Sequence, residues 1–423
     1  TPLTLLGSWN VKKRNWQFQI QMLFLQIGML GCFAAMDVVL FYVFFEVMLV
    51  PMYLLIGIWG GSNRLYATIK FFIYTMLGSL LMLVSLLYTA NIYLDLNGEW
   101  SFNVLDWYGM DIPSETQFWL FIGFAAAFAV KIPLFPLHTW LPDAHYEAPT
   151  AGSVQLAAVL LKFGPYGFLR FAMPVFPAAV YELTPIFMVL ALIGIIYGGL
   201  VAMVQPQIKR LIAYSSVAHM GYIVLGLFAL NIQGLSGSWI QMINHAIVTG
   251  ALFLVVGMIY ERTHTQEISD YGGVAHTMPK FAVFLVFFSL ASVGLPGLNG
   301  FVGEILAMIG AARVNIWYGI LAAFGVLIAA IYMLWMVQRV LFGPLTKELV
   351  KGLNDFSFRE VVVLVPLVFW TIFLGVYPQP FFGRIEVSIN HYIELIKSQE
   401  PRFAQDEAES SGLAKFVVWN LGD

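Results

Sequence analysis

Long uncharged apolar runs alternate with short polar connections along the whole chain. A helix needs about twenty consecutive apolar residues to cross the hydrocarbon core of a bilayer. Eleven such spans can be drawn, at about 17–35, 37–59, 65–93, 116–137, 150–172, 183–204, 208–230, 238–260, 279–312, 315–340 and 361–378. The sizeable polar segments are 94–115, 261–278 and the tail from about 381 to 423, so no soluble domain is expected. The runs are continuous rather than alternating, which excludes an outer-membrane barrel.

Two spans carry their own interruption. The fourth contains Pro133 and Pro136 in VKIPLFPLHTW, and the ninth contains Gly294, Pro296, Gly297, Asn299 and Gly300 in VGLPGLNGFVGE. Proline removes a helix donor and clashes with the preceding turn, so both spans should be discontinuous within the membrane. Taking spans one to five and six to ten as units, each is broken at its fourth member. A repeated unit of five must enter from the opposite side, the pattern of an inverted-repeat transporter with its ion site at the broken helices. The expected fold is therefore an all-α polytopic membrane protein. Residues 16–172 form a first five-helix repeat, 183–342 a second, inverted one, and 343–423 the final span and tail.

Composition agrees: of 423 residues, 60% are hydrophobic and 11% charged, far from the ~25% charged of soluble domains. The net charge of −3 and a longest basic run of Lys12-Lys13-Arg14 give no reason to expect a nucleic-acid partner. A single thiol, Cys32, excludes four-cysteine iron–sulfur or zinc sites and internal disulfides. No Gly-rich phosphate loop or Ser-His-Asp arrangement can be argued from the spacing. The chain opens on Thr1, and its first twenty residues do not form a signal peptide; an N-terminal segment is expected to be missing or processed off. Loop charges segregate: Lys12, Lys13, Arg14, Arg64, Lys209, Arg210, Arg339, Lys347 and Lys351 fall on one side of alternating spans. Asp95, Glu99, Asp106, Asp111 and Glu115 fall on the other. The positive-inside rule then puts Thr1 on the cytoplasmic or matrix side and Asp423 opposite.

Charged side chains inside spans are the candidate chemistry. Glu46 lies mid-span in the second, Lys131 just before the break of the fourth, Lys162 in the fifth, His219 in the seventh and His245 in the eighth. Glu304 directly follows the break of the ninth. An ionisable group mid-membrane costs at least about 2.5–3.5 kcal/mol on insertion scales, so such residues usually serve a conduction path. Without water a lysine favours its neutral form, and a nearby carboxylate favours the charged one. Lys131 can thus hold or release a proton according to its distance from Glu46. For Lys70, Arg170 and Lys209, near span ends, snorkelling is the simpler reading. His138 and His145, seven apart beside the first break, line a water-filled entry or cap polar backbone. The histidines lack paired ligand spacing, so no metal site is expected.

Four blocks carry a resemblance: FEVMLVPMYLLIGIWGG, VKIPLFPLHTWLPDAHYEAPTAGSVQLAAVLLKFGPYGFLRF, KRLIAYSSVAHMGY and LPGLNGFVGEILAMIGA. The sequence resembles the antiporter-like membrane subunits of respiratory complex I, the proton-pumping NADH:quinone oxidoreductase, from about residue 16 to 378. The first and last blocks favour the subunit-M branch. The resemblance implies fourteen spans, of which the eleven here match the fourth to the fourteenth. It implies a proton path in which Glu46 and Lys131 form an input pair and Lys162 is the central lysine. His219 and His245 link two half-channels, Glu304 is the terminal acid, and His138 is a further candidate. It also implies no cofactor in this chain, with FMN, iron–sulfur clusters and quinone in partner subunits. The expected partners are the other membrane-arm subunits and the lipid bilayer. The expected location is the bacterial inner (plasma) membrane, in preference to the mitochondrial inner membrane. The alternatives are a D-type subunit of a multisubunit Na⁺/H⁺ antiporter and a ferredoxin-fed photosynthetic relative.

Overall fold

The computed structural model describes residues 1–398, which are helical with no β-strand among them. In chain order the spans are α1 (Asn15–Ala34), α2 (Val38–Trp59) and α3 (Arg64–Asn97). The fourth span is divided into α4 (Ser114–Lys131) and α5 (Trp140–Glu147). Then come α6 (Thr150–Val175), α7 (Pro177–Met203), α8 (Ile208–Phe228) and α9 (Ile232–Thr263). The ninth span is divided into α10 (Pro279–Val293) and α11 (Asn299–Val314). α12 (Ile316–Leu341) and α13 (Phe358–Val376) complete the spans. Among the described residues nine helices are long and apolar enough to cross a membrane, and the two divided spans bring the number to the expected eleven.

Polar side chains cap several spans. Asp37 accepts from the Leu40 N–H at 2.8 Å, Asn231 from Gly234 at 2.9 Å and Asn315 from Trp317 at 3.0 Å. Ser357 and Glu360 form a reciprocal capping box at the start of α13. Between α10 and α11, Gly294 and Gly297 hold φ of +83° and +93°, left-handed values that a β-carbon disfavours.

Three features depart from the sequence reading. The second span is not continuous: its helix is interrupted at Met48, two residues after Glu46. Pro51 cannot donate to the Val47 carbonyl, so the ladder loosens there. The fifth span tightens to a 3-10 turn at Leu160–Lys162 and widens to a π turn at Phe168–Ala172, around Pro165. The polar tail contains an amphipathic helix, α14 (Gln379–Ser398), while the remainder of the tail lies outside the described residues.

Hydrogen bonds join the loops at each end of the bundle. At one end Trp59 Nε1 donates to the Lys13 carbonyl, the Gly61 N–H to Glu147, and the Ile208 N–H to Gln266. The Gly273 N–H reaches Phe342, Arg262 binds Glu360, and Arg359 reaches Asn10, closing the ring of loops. This end carries the basic residues picked out in the sequence. At the other end Val38 and Val104 exchange backbone bonds with Phe102 and Met36, near the acidic loop.

Helices α9 and α11 approach each other closely. A β-carbon on Gly237 would lie 2.4 Å from the Ala307 backbone nitrogen, and one on Gly310 would lie 2.4 Å from Gly234. Small residues permit such backbone contact in membrane bundles. Gly237→Ala should therefore destabilise the protein by about 1–3 kcal/mol, seen as a lower melting temperature after detergent solubilisation. Gly383→Ala, whose β-carbon meets nothing within 4 Å, should leave it unchanged; equal behaviour of the two variants would refute the close packing.

Candidate functional site

Lys162 begins one buried chain of polar contacts. It is 5% exposed and sits on the 3-10 turn of α6. Its ammonium donates to the Ala157 carbonyl at 2.5 Å, one of the carbonyls that the irregular turn exposes, and meets His245 Nδ1 at 2.6 Å. The ring of His245, on α9, lies 5.7 Å from that of His219 on α8. His219 Nδ1 is 2.7 Å from Glu304 Oε1, and its Nε2 is 3.0 Å from the Ser292 hydroxyl. Gln241 donates to the same Glu304 oxygen at 2.9 Å.

Glu304 lies inside the protein at 3% exposure, about one turn beyond the break in the ninth span. A small cavity of about 10 Å³, room for about one water, lies between His219, His245, Asn244, Ser292 and Glu304. Around it His245 Nε2, Asn244 Oδ1 and both side-chain atoms of Asn299 lack protein partners. A polar cavity with several such atoms suits water, which can bridge groups too far apart for direct contact. Ser292, Gln241 and Asn244 were not singled out by sequence reasoning, and Asn299 was named there only as part of the break. Their signal was present, as uncharged polar residues inside runs otherwise apolar.

Glu46 and Lys131 form a looser pair. They are near enough for each to feel the other's charge, yet Lys131 Nζ makes no hydrogen bond. The ammonium instead lies over the rings of Phe45 at 4.8 Å and Phe71 at 5.8 Å, where the ring faces attract it. Lys131 also ends α4, whose terminal carbonyls favour a cation. Glu46 is half-buried, beside Ser79, with Oε1 unpartnered. Lys131 and Lys162 stand on adjacent segments, because Gly164 lets α6 press on the end of α4: a β-carbon there would lie 2.4 Å from Ile132. No hydrogen bond links the two lysines.

The other candidates divide. His138 is buried among Phe135, Tyr197 and Tyr214 and joins neither cluster. His145 stacks on Phe253 at 4.5 Å with both ring nitrogens unpartnered, so its ring caps no backbone group. Lys209 does not snorkel: it is 6% exposed, and its ammonium is held by the Ala148 carbonyl. Lys70 is likewise drawn to protein, pairing with Asp143 at 2.8 Å, and Asp143 also binds Arg210 at 3.3 Å. Among the described residues no three His, Cys, Asp or Glu side chains converge as metal ligands would.

Residues 35–348 match the profile of the NADH:quinone oxidoreductase/Mrp antiporter transmembrane family. The NADH-quinone oxidoreductase subunit M of Rhodobacter capsulatus is 48% identical over 416 residues, covering 96% of this chain and 81% of that protein. A chain of respiratory complex I from Thermus thermophilus superposes with a TM-score of 0.86 at 35% identity, covering 93% of this chain and 82% of that one. A chain of the Mrp complex from Dietzia sp. reaches a TM-score of 0.78 at 19% identity, covering 93% and 83%; that likeness is one of fold.

The contact between Lys162 and His245 can be measured through stability. Lys162→Met leaves His245 Nδ1 without its partner, and His245→Leu strips Lys162 of its neighbour. An unmatched buried polar group costs about 1–3 kcal/mol, whereas replacing both can be nearly neutral. The double variant should therefore melt higher than the two single losses added together would give. Strict additivity would show that the two side chains do not interact.

Proposed function

The chain belongs to the NADH:quinone oxidoreductase/Mrp antiporter transmembrane family, and from that premise we propose that its buried groups are a proton path. The protein acts as a proton-translocating membrane subunit of NADH:quinone oxidoreductase. The two divided spans support a pair of inverted five-helix repeats, residues 16–172 and 183–342, with the path running across their junction. The observation that carries the reading is the buried chain Lys162–His245–His219–Glu304, drawn from both repeats.

Each member has a distinct part. Lys131, held by ring faces rather than by a carboxylate, loses or keeps its proton as Glu46 moves away or closes in. Lys162 receives that proton and is already in contact with His245. The imidazoles of His245 and His219 each have one nitrogen facing a donor or acceptor and another facing the cavity or Ser292, the arrangement a relay needs. Glu304 is the terminal acceptor, fixed by His219 and Gln241. Redox chemistry in partner subunits drives these changes. This reading assigns flavin, iron–sulfur clusters and quinone to those partners, and the lone thiol Cys32 supports it for the clusters, which need four cysteines. The bacterial relatives favour the inner membrane of a bacterium. A D-type antiporter subunit shares the fold, but the higher identity to quinone oxidoreductase subunits favours the present reading. Co-purification with a flavin and iron–sulfur arm tests it, and recovery with small antiporter subunits alone would overturn it.

Site variants test the path. Lys162→Ala and Glu46→Ala should each lower NADH:quinone reductase activity and proton pumping by roughly tenfold or more, in the range seen when a proton-transfer group is lost. The assembled complex should persist on a native gel. Glu46→Asp should be milder, because the charge stays and only its reach shortens. Unchanged pumping in Glu46→Ala would make the pair a structural tie, and loss of the assembled complex in Lys162→Ala would make that lysine a packing residue.

A further inference from the structure

Between the start of α1 and the end of α2 lies a surface groove of about 380 Å³. Its floor is apolar, from Ile20, Leu54 and Ile58, and its mouth is polar, from Arg14, Trp16 and Gln17. Lys13 closes the upper rim: its carbonyl accepts from Trp59 Nε1 at 2.6 Å, and its ammonium donates to the Ile58 carbonyl at 2.8 Å. That tie fixes Arg14 in a left-handed conformation at φ 48°. Among the described residues no protein group binds the Arg14 guanidinium, and Lys12 beside it is exposed.

No carboxylate occurs in residues 1–36 or 47–94, so neither helix lining the groove offers an anion at this end. Of the acids contributed by other segments at this end, Glu147 accepts from the Asn63 N–H at 3.0 Å and Glu261 from the Asn10 amide at 3.1 Å, and neither binds Arg14. Trp16 is 67% exposed, and amphipathic tryptophans of this kind sit at the headgroup level of membranes. The groove therefore offers an uncompensated positive charge at the interface and an apolar channel running below it.

We propose that this groove holds one anionic phospholipid, its phosphate on Arg14 and an acyl chain along Ile20, Leu54 and Ile58. The basic end of the bundle is the end expected to face the anionic cytoplasmic leaflet, where each basic residue near the surface contributes about 1 kcal/mol of attraction. The site is independent of the proton path, since it touches none of its residues.

The test uses the whole complex, purified in mild detergent from the parent, Arg14→Gln, Ile20→Trp and Lys347→Gln. Arg14→Gln removes the charge, Ile20→Trp fills the channel, and Lys347→Gln makes the same charge change at an exposed position away from the groove. Phosphatidylglycerol and cardiolipin retained per complex are counted by mass spectrometry. Arg14→Gln and Ile20→Trp should each lose about one anionic phospholipid relative to the parent, and Lys347→Gln none. Equal retention in all four overturns the proposal, as does an equal loss in Lys347→Gln. A photoreactive phenylalanine replacing Trp16 should capture phospholipid; capture of a neighbouring subunit instead would assign the groove to a protein contact and also overturn it.

Discussion

A carboxylate within a bilayer must bring its own solvent, and the arrangement around Glu304 shows how this chain supplies it. The His219 ring and the Gln241 amide reach one carboxylate oxygen at 2.7 and 2.9 Å, and the polar cavity lies alongside. Those contacts require α8, α9 and α11 to meet within hydrogen-bond reach of one another. They do so because Gly234, Gly237, Gly303 and Gly310 let the backbones of α9 and α11 nearly touch. In a medium where each unsatisfied polar group costs several kcal/mol, the close helix packing and the buried acid are one design.

Four of the titratable side chains inside spans stand beside a helix irregularity. Glu46 precedes the interruption at Met48, Lys131 ends α4, Lys162 sits on a 3-10 turn, and Glu304 follows the Gly294–Leu298 break. Each irregularity frees backbone carbonyls or N–H groups from the helical ladder. Freed dipoles stabilise a charge, and a charge occupies dipoles that would otherwise be orphaned; Lys162 on the Ala157 carbonyl is the plainest instance. At Lys162 the defect and the ionisable residue thus answer each other's cost.

The two halves of the path differ in how completely they are joined. From Lys162 to Glu304 the groups are in contact or face a shared cavity. At Glu46 and Lys131 the charges sense each other without a hydrogen bond, and aromatic rings hold the ammonium in place. The Lys162–Glu304 segment needs at most a bridging water between its two imidazoles, whereas the open pair needs a movement before a proton can pass. On the proposed path, that contrast assigns the controlled step to the input pair.

The sequence by itself determined the eleven spans, the two divided ones, the segregation of loop charge and the identity of the ionisable residues. It did so because hydropathy, proline and charge act locally, through the transfer of each segment from water into lipid. Even there the reading stopped short at Met48 and Leu160–Lys162, where Pro51 and Pro165 interrupt helices that remain long enough to span, so that periodicity alone looks continuous. Only the tertiary structure decided which residues meet. Glu304 finds His219 85 positions away, Lys162 finds His245 83 positions away, and Lys209 turns inward to Ala148 instead of outward to water. Such contacts depend on the rotation of each helix about its axis and on how closely glycines let two backbones approach. Those quantities are set by packing between distant segments, which no local pattern records.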